Sequence, residues 1–183
     1  MSFFRKIDVR IWNDAKFRAL SHSGKLAFIM LLTHPGMTAL GAMRATPEGL
    51  GAELKMEPEA FREAFGEVLR QGLAEHDEEA SCVFVPNFVR YQAVESPNVV
   101  KAWAKHLEWI PECELKNRAV AVAQAFVEGY GEAFRKAFRE SFGKTSPNQK
   151  AVSSEQKGGE TRFAQPASLP PAPSADRPES GLR

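Results

Sequence analysis

Cysteine is scarce: Cys82 and Cys113 are the only two in 183 residues. Two are too few for a disulfide framework and fit a reducing compartment. Long apolar runs are missing as well. The longest, Leu26 to Leu32, falls far short of the about 20 residues that a helix needs to cross a bilayer. The N-terminus, MSFFRKIDVR, meets charge before any apolar stretch of signal-peptide length. A cytoplasmic chain with no membrane partner is therefore expected. A surplus of one charge is lacking too: 24 Lys and Arg face 23 Asp and Glu, for a net charge of +1. That balance excludes a histone-like polycation, so any nucleic-acid role must rest on local patches. Catalytic and metal signatures are equally thin. His22, His34, His76 and His106 are dispersed, neither cysteine has a CxxC partner, and Gly36 to Gly41 lacks the Lys-Ser/Thr of a phosphate loop. Neither an enzyme nor a cofactor is expected.

What is present is enough apolar material for a core, 43% hydrophobic and 10% aromatic residues. It is unevenly spread. Beyond Phe142 lie six of the 12 prolines, at positions 147, 166, 170, 171, 173 and 178. The sizeable apolar residues there are Val152, Phe163, Leu169 and Leu182. Ordering backbone costs about 1–2 kcal/mol per residue, which so few apolar groups cannot offset. Residues 143–183 are predicted to be a disordered tail.

Before it, helical periodicity dominates. Leu26, Ile29, Met30 and Leu31 mark a helix over about 23–33, started by Ser21 or Ser23 and ended at His34-Pro35-Gly36. Thr46-Pro47-Glu48 supplies a hydroxyl cap, a first-turn proline and an acidic first turn for a helix over 46–55. From Pro58 to Gln71, Phe61, Ala64, Phe65, Val68 and Leu69 form one stripe, closed by Gly72. Two extended runs around Glu78 to Ser81 then predict a β-hairpin over 73–85. Thr38 to Arg44 holds a weaker strand signal.

Three helices with a short turn between the second and third, followed directly by a hairpin, describe a winged helix-turn-helix. The expected fold is thus mainly α with a small β-hairpin: a winged helix over 1–92, a helical extension over 93–142 and the tail. In the third helix, Arg62, Gly66 and Arg70 fall at i, i+4, i+8 on the outer face, two cationic donors around a residue that permits close approach. The competing reading is a solvated face of mixed charge. Eight carboxylates, Glu57, Glu59, Glu63, Glu67, Glu75, Asp77, Glu78 and Glu79, face only Arg62 and Arg70 over 57–79, a net of −6. The tip of the hairpin is therefore predicted to avoid phosphate. Lys25, Arg44 and Lys55 surround the same unit and complete the candidate DNA-binding set. Residues 1–18 carry a net +3 and residues 134–150 a net +4, the latter serving solubility equally well.

The extension is predicted as a helix from Ser96-Pro97 to Pro111, with Val100, Trp103, Leu107 and Trp109, then a helical stretch to Phe142 broken at Gly129 and Gly131. Trp12, Trp103 and Trp109 read as core or inter-helix anchors, with Trp109 also suited to a partner surface. Phe126, Tyr130, Phe134, Phe138 and Phe142 recur every four residues, winding 160° around a helix. Phe134, Phe138 and Phe142 are expected to stay free for a second copy or a protein partner. The alternative is that they pack within the monomer.

The phrases Ile11-Trp12-Asn13-Asp14-Ala15-Lys16-Phe17, Leu31-Leu32-Thr33-His34-Pro35, Val83 to Tyr91 and Ser96 to Trp103 resemble the N-terminal winged-helix domain of phage and prophage replication proteins. These are the replisome-organiser, DnaD-like or O-like initiators, and the resemblance covers about residues 5–110. It implies a non-enzymatic protein that binds origin or single-stranded DNA and recruits the replicative helicase or its loader. An obvious second helicase-binding domain is lacking, which weakens the helicase-loading part of that implication. Two rivals remain. One is a winged-helix transcription regulator, and the other is a protein-interaction module with little DNA contact, which the acidic third helix favours.

Overall fold

The computed structural model describes residues 5–92 and 94–143, so the expected tail, apart from Gly143, lies outside the described residues. Each helix start follows from its capping chemistry. Asp14 accepts from the Phe17 amide at 3.0 Å and opens α1 (Ala15–Arg18). Ser21 accepts from Gly24 at 3.0 Å and opens α2 (His22–Thr33). Thr46 accepts from Gly49 at 3.2 Å, with Pro47 as the first residue of α3 (Pro47–Glu53). Pro58 opens α4 (Pro58–Arg70) without a side-chain cap. At its end the Gly72 amide donates to the Leu69 carbonyl at 2.8 Å and the Leu73 amide to Val68 at 3.1 Å. Gly72 sits at φ +62°. This is the Schellman arrangement, and it needs the left-handed conformation that glycine adopts freely. The turn from α3 to α4 repeats the arrangement: Lys55 donates to Ala52 at 3.1 Å and Met56 to Gly51 at 3.0 Å. There the left-handed residue is Lys55, at φ +53°.

Three short strands follow the helix pairs: β1 (Ala42–Arg44), β2 (Glu75–Asp77) and β3 (Cys82–Phe84). The predicted hairpin pairs β2 with β3, and β1 joins the other edge of β3, giving an antiparallel order β1-β3-β2. Met43 pairs with Val83, and Ala42 with Phe84. Strand alternation therefore sends Met43 and Val83 to one face, and Ala42, Cys82 and Phe84 to the other. The first face packs on Phe17, Phe28, Leu31, Phe61, Phe65 and Val68 from α1, α2 and α4. The second packs on Val100, Trp103, Ala119, Ala123 and Phe138. All three residues of β3 are buried because the sheet is covered on both sides. That explains why Cys82-Val83-Phe84-Val85 is continuously apolar instead of alternating. Gly41 leads into β1 at φ +78°, and a side chain there would stand 2.6 Å from the Phe88 Cβ.

The second cover consists of α5 (Pro97–Trp103), α6 (Glu114–Glu128) and α7 (Glu132–Phe142). Leu115, Ala119, Ala123 and Val127 line the buried face of α6, whose small residues approach the sheet. The predicted helix through Trp109 tightens instead into a 3-10 segment over Ala104–Trp109. A three-residue turn keeps Leu107 and Ile110 on one buried face, with the Ile110 amide donating to Leu107. Phe138 and Phe142 are only 6% and 7% exposed, with their rings stacked at 4.1 Å. The expectation that this half of the stripe stays free for a partner is thus corrected. α7 packs on α5, and the partly buried Phe134 meets at a tilt the ring of Tyr130, which in turn meets Phe126. Trp12 is also corrected: it is 63% exposed and touches Phe17 only edge-on. Trp103 is a core anchor, whereas Trp109 is 70% exposed. Among the described residues no helix is long and apolar enough to cross a membrane.

Candidate nucleic-acid interface

The stripe of α4 faces the core, so Arg62, Gly66 and Arg70 are left on its outer side. Arg62 and Gly66 line an open groove of about 460 Å³ between the start of α3, α4 and the hairpin, together with Thr46, Glu48, His76 and Glu78 among others. Arg62 is half-exposed and ion-paired with Glu48 at 3.5 Å and Glu59 at 3.3 Å. A Cβ at Gly66 would lie 3.1 Å from the Arg70 guanidinium, so that side chain folds back over the glycine. His76 packs edge-on against Phe65, and its buried Nε2 has no hydrogen-bond partner among the described residues.

The other three predicted cations are dispersed around this groove. The Lys25 ammonium donates to the Leu20 carbonyl at 2.8 Å. Between Lys25 and Arg70 lies Glu67, which accepts from the Ser21 amide at 2.7 Å. That hydrogen bond is the chief reason its carboxyl is held below the usual range. Arg44 is exposed at the end of β1 and shares the sheet face of Cys82, opposite to α4. Lys55 is exposed at the α3–α4 turn. Neither Arg44 nor Lys55 has an ion-pair partner among the described residues. The basic run over 134–150 is largely neutralised as far as it is described. Glu132 pairs with Arg135 and Arg139, and Glu140 with Lys101 at 3.4 Å and Lys136 at 3.9 Å. Lys144 and Lys150 lie outside the described residues.

A second groove, of about 510 Å³, was not anticipated. It lies between the N-terminal strap and the 3-10 turn Phe88–Tyr91, and is lined by Lys6, Ile7, Asp8, Arg10, Arg90 and Tyr91. The signal available in the sequence was the excess of base over acid in residues 1–18. Nothing local ties that segment to Arg90-Tyr91, more than 70 residues away in the chain. Among the described residues no group of His, Cys, Asp and Glu side chains is placed to hold a metal. Compared with family models, with curated proteins and with solved structures, the chain matches none.

Proposed function

We propose that this chain is a non-enzymatic DNA-binding protein whose first half is a winged helix-turn-helix, with α4 as the helix that enters the major groove of duplex DNA. The observation that carries the reading is the order α2, β1, α3, α4, β2, β3, with β1 and β2 flanking β3 and the outer face of α4 left open. The ion pairs of Arg62 do not forbid the role. Exposed pairs are worth about 0–1 kcal/mol, so phosphate or a guanine edge would displace Glu48 and Glu59 at small cost. A place in phage or prophage replication, with the replicative helicase or its loader as partner, rests on the sequence resemblance. The reading as a protein-interaction module is favoured by the exposed Trp109 and by the carboxylates around Arg62.

The test is a fluorescence-anisotropy titration of single-stranded, duplex and forked oligonucleotides at two salt concentrations. The expected result is duplex and forked binding that weakens as salt rises. Absence of binding to both at low salt would overturn the reading and leave the interaction module.

A further inference from the structure

The strap groove differs from the α4 groove in what its charges are bound to. Asp8, its one carboxylate, is consumed by Arg10: the guanidinium meets both oxygens at 2.6 to 3.1 Å, and the Arg10 amide donates to the same group at 2.9 Å. Lys6 and Arg90 are exposed and have no ion-pair partner among the described residues. Tyr91 is 54% exposed and joins no ring pair among the described residues, unlike the laddered Tyr130. Ile7 adds an apolar wall.

Both walls are held in place. Phe88 and Val89 are buried, anchoring the turn that presents Arg90 and Tyr91. Arg5 donates to the Met37 carbonyl and lies over the Phe88 ring at 5.2 Å, tying the strap to the same turn. A groove of about 510 Å³ falls within the about 300–1,000 Å³ of sites that enclose small organic groups. Unpaired cations around an exposed aromatic ring on an anchored turn match the way single strands are held, with phosphates on the cations and a base on the ring. An acidic peptide would use the cations and leave the ring idle.

We propose that this groove binds a segment of single-stranded nucleic acid, with one base stacked on Tyr91 and neighbouring phosphates on Lys6 and Arg90. The site uses residues outside the α3–α4 unit and goes beyond the duplex-docking reading.

The test titrates the full chain with fluorescent 20-residue deoxyuridine and uridine strands and with a blunt duplex. Tyr91→Ala is expected to weaken strand binding by about 5- to 150-fold, the size of one lost stack, and Tyr91→Phe to retain it. Lys6→Ala with Arg90→Ala should lower the salt slope of strand binding by about 1.4, for two lost phosphate contacts. Duplex affinity should stay within about twofold in all three variants. The tighter of the two strands identifies the sugar preferred. Unchanged strand affinity in Tyr91→Ala would overturn the proposal, as would equal losses in Tyr91→Ala and Tyr91→Phe. So would displacement of the strand by polyglutamate from wild type and Tyr91→Ala alike. Failure of duplex binding with intact strand binding would sink the helix-docking reading alone.

Discussion

The α4 groove and the strap groove are both lined by arginine, Arg62 in the one and Arg10 and Arg90 in the other, yet they present opposite faces to an anion. In the first, Arg62 is ringed by Glu48 and Glu59, and Glu78 stands across the groove. In the second, the single carboxylate is already bound to Arg10, which leaves Lys6 and Arg90 uncompensated. A count of cations along the chain does not separate the two. What separates them is where the fold places carboxylates relative to those cations, because an exposed pair a few ångströms apart cancels most of its field at a Debye length of about 8–10 Å. The α4 groove suits contacts made by exchanging one partner for another, which favours selectivity. On the proposal made above, the strap groove would attract a strand of any sequence.

The largest effect that could break this comparison comes from the α4 arginines. Arg62→Ala with Arg70→Ala is expected to weaken duplex binding by about 1–3 kcal/mol while leaving single-strand binding in place. Both residues are exposed, so thermal unfolding should be unchanged within about 0.5 kcal/mol. If duplex binding survives the double change, α4 does not enter the groove and the carboxylates around Arg62 define the face.

Lys55 gives the next largest effect and separates stability from contact. A non-glycine residue in the left-handed region costs about 1–2 kcal/mol, and Lys55 is exposed with no ion-pair partner among the described residues. Lys55→Gly should raise the urea midpoint by the equivalent of about 1 kcal/mol, since glycine removes that strain and gives back part in chain entropy. If Lys55 also meets phosphate, the same change lowers the salt slope of duplex binding by about 0.9. A stability gain with an unchanged slope would remove Lys55 from the interface.

Much of this was legible in the chain itself. The caps Ser21 and Thr46, the stripe of α4 and the Gly72 stop place the helices of the first half within a residue or two of their observed ends. The hairpin followed from two extended runs around a polar turn. Local chemistry specifies such features, so local patterns report them. The rest depends on distant pairings. Arg62 with Glu59 is an i, i+3 pair visible in sequence, but Glu48 reaches it only because Gly51 lets α3 pack closely on Phe61 of α4. The continuous apolar run of β3 did carry a signal that the sheet is covered twice. The 160° arc of Phe126 to Phe142 holds for one continuous helix, but the break at Gly129–Gly131 divides the stripe between α6 and α7 and leaves only about 80° of it on α7. In the fold α5 takes Phe138 and Phe142, while Phe134 turns to Tyr130. The left-handed Lys55 gave no sign, since lysine is not the residue such a turn selects.

Removing carboxylates should move the two grooves toward each other by a smaller amount. Glu48→Gln with Glu59→Gln frees Arg62 from both partners. Exposed pairs contribute about 0–1 kcal/mol and both carboxylates share one guanidinium, so duplex affinity should rise by about 1 kcal/mol or less, most visibly at low salt. Glu78→Ala with Glu79→Ala should leave it unchanged or slightly tighter. A weaker duplex complex in either double variant would mean that these carboxylates accept hydrogen bonds from the bases, as Glu does from cytosine.

The smallest effect concerns the anchoring of the strap. The His106 Nδ1 accepts from the Ala39 amide at 3.1 Å, which requires that nitrogen to be unprotonated. Burial, and after it the charge of Arg5, push the imidazole below its ordinary 6.5. A folded-state value below the unfolded one means that the unfolded chain binds the proton more readily. The contribution to stability is therefore complete above about pH 6.5 and fades as pH falls through the folded value. Protonation would also set a second cation beside Arg5, the residue that holds the strap to Phe88. His106→Asn keeps an acceptor for Ala39 and cannot titrate. Between pH 7.5 and 5, the melting temperature of the wild type should fall further than that of this variant. Every other ionisable group is common to the two proteins, so the difference isolates His106. Parallel curves for the two would show that the strap is held without it.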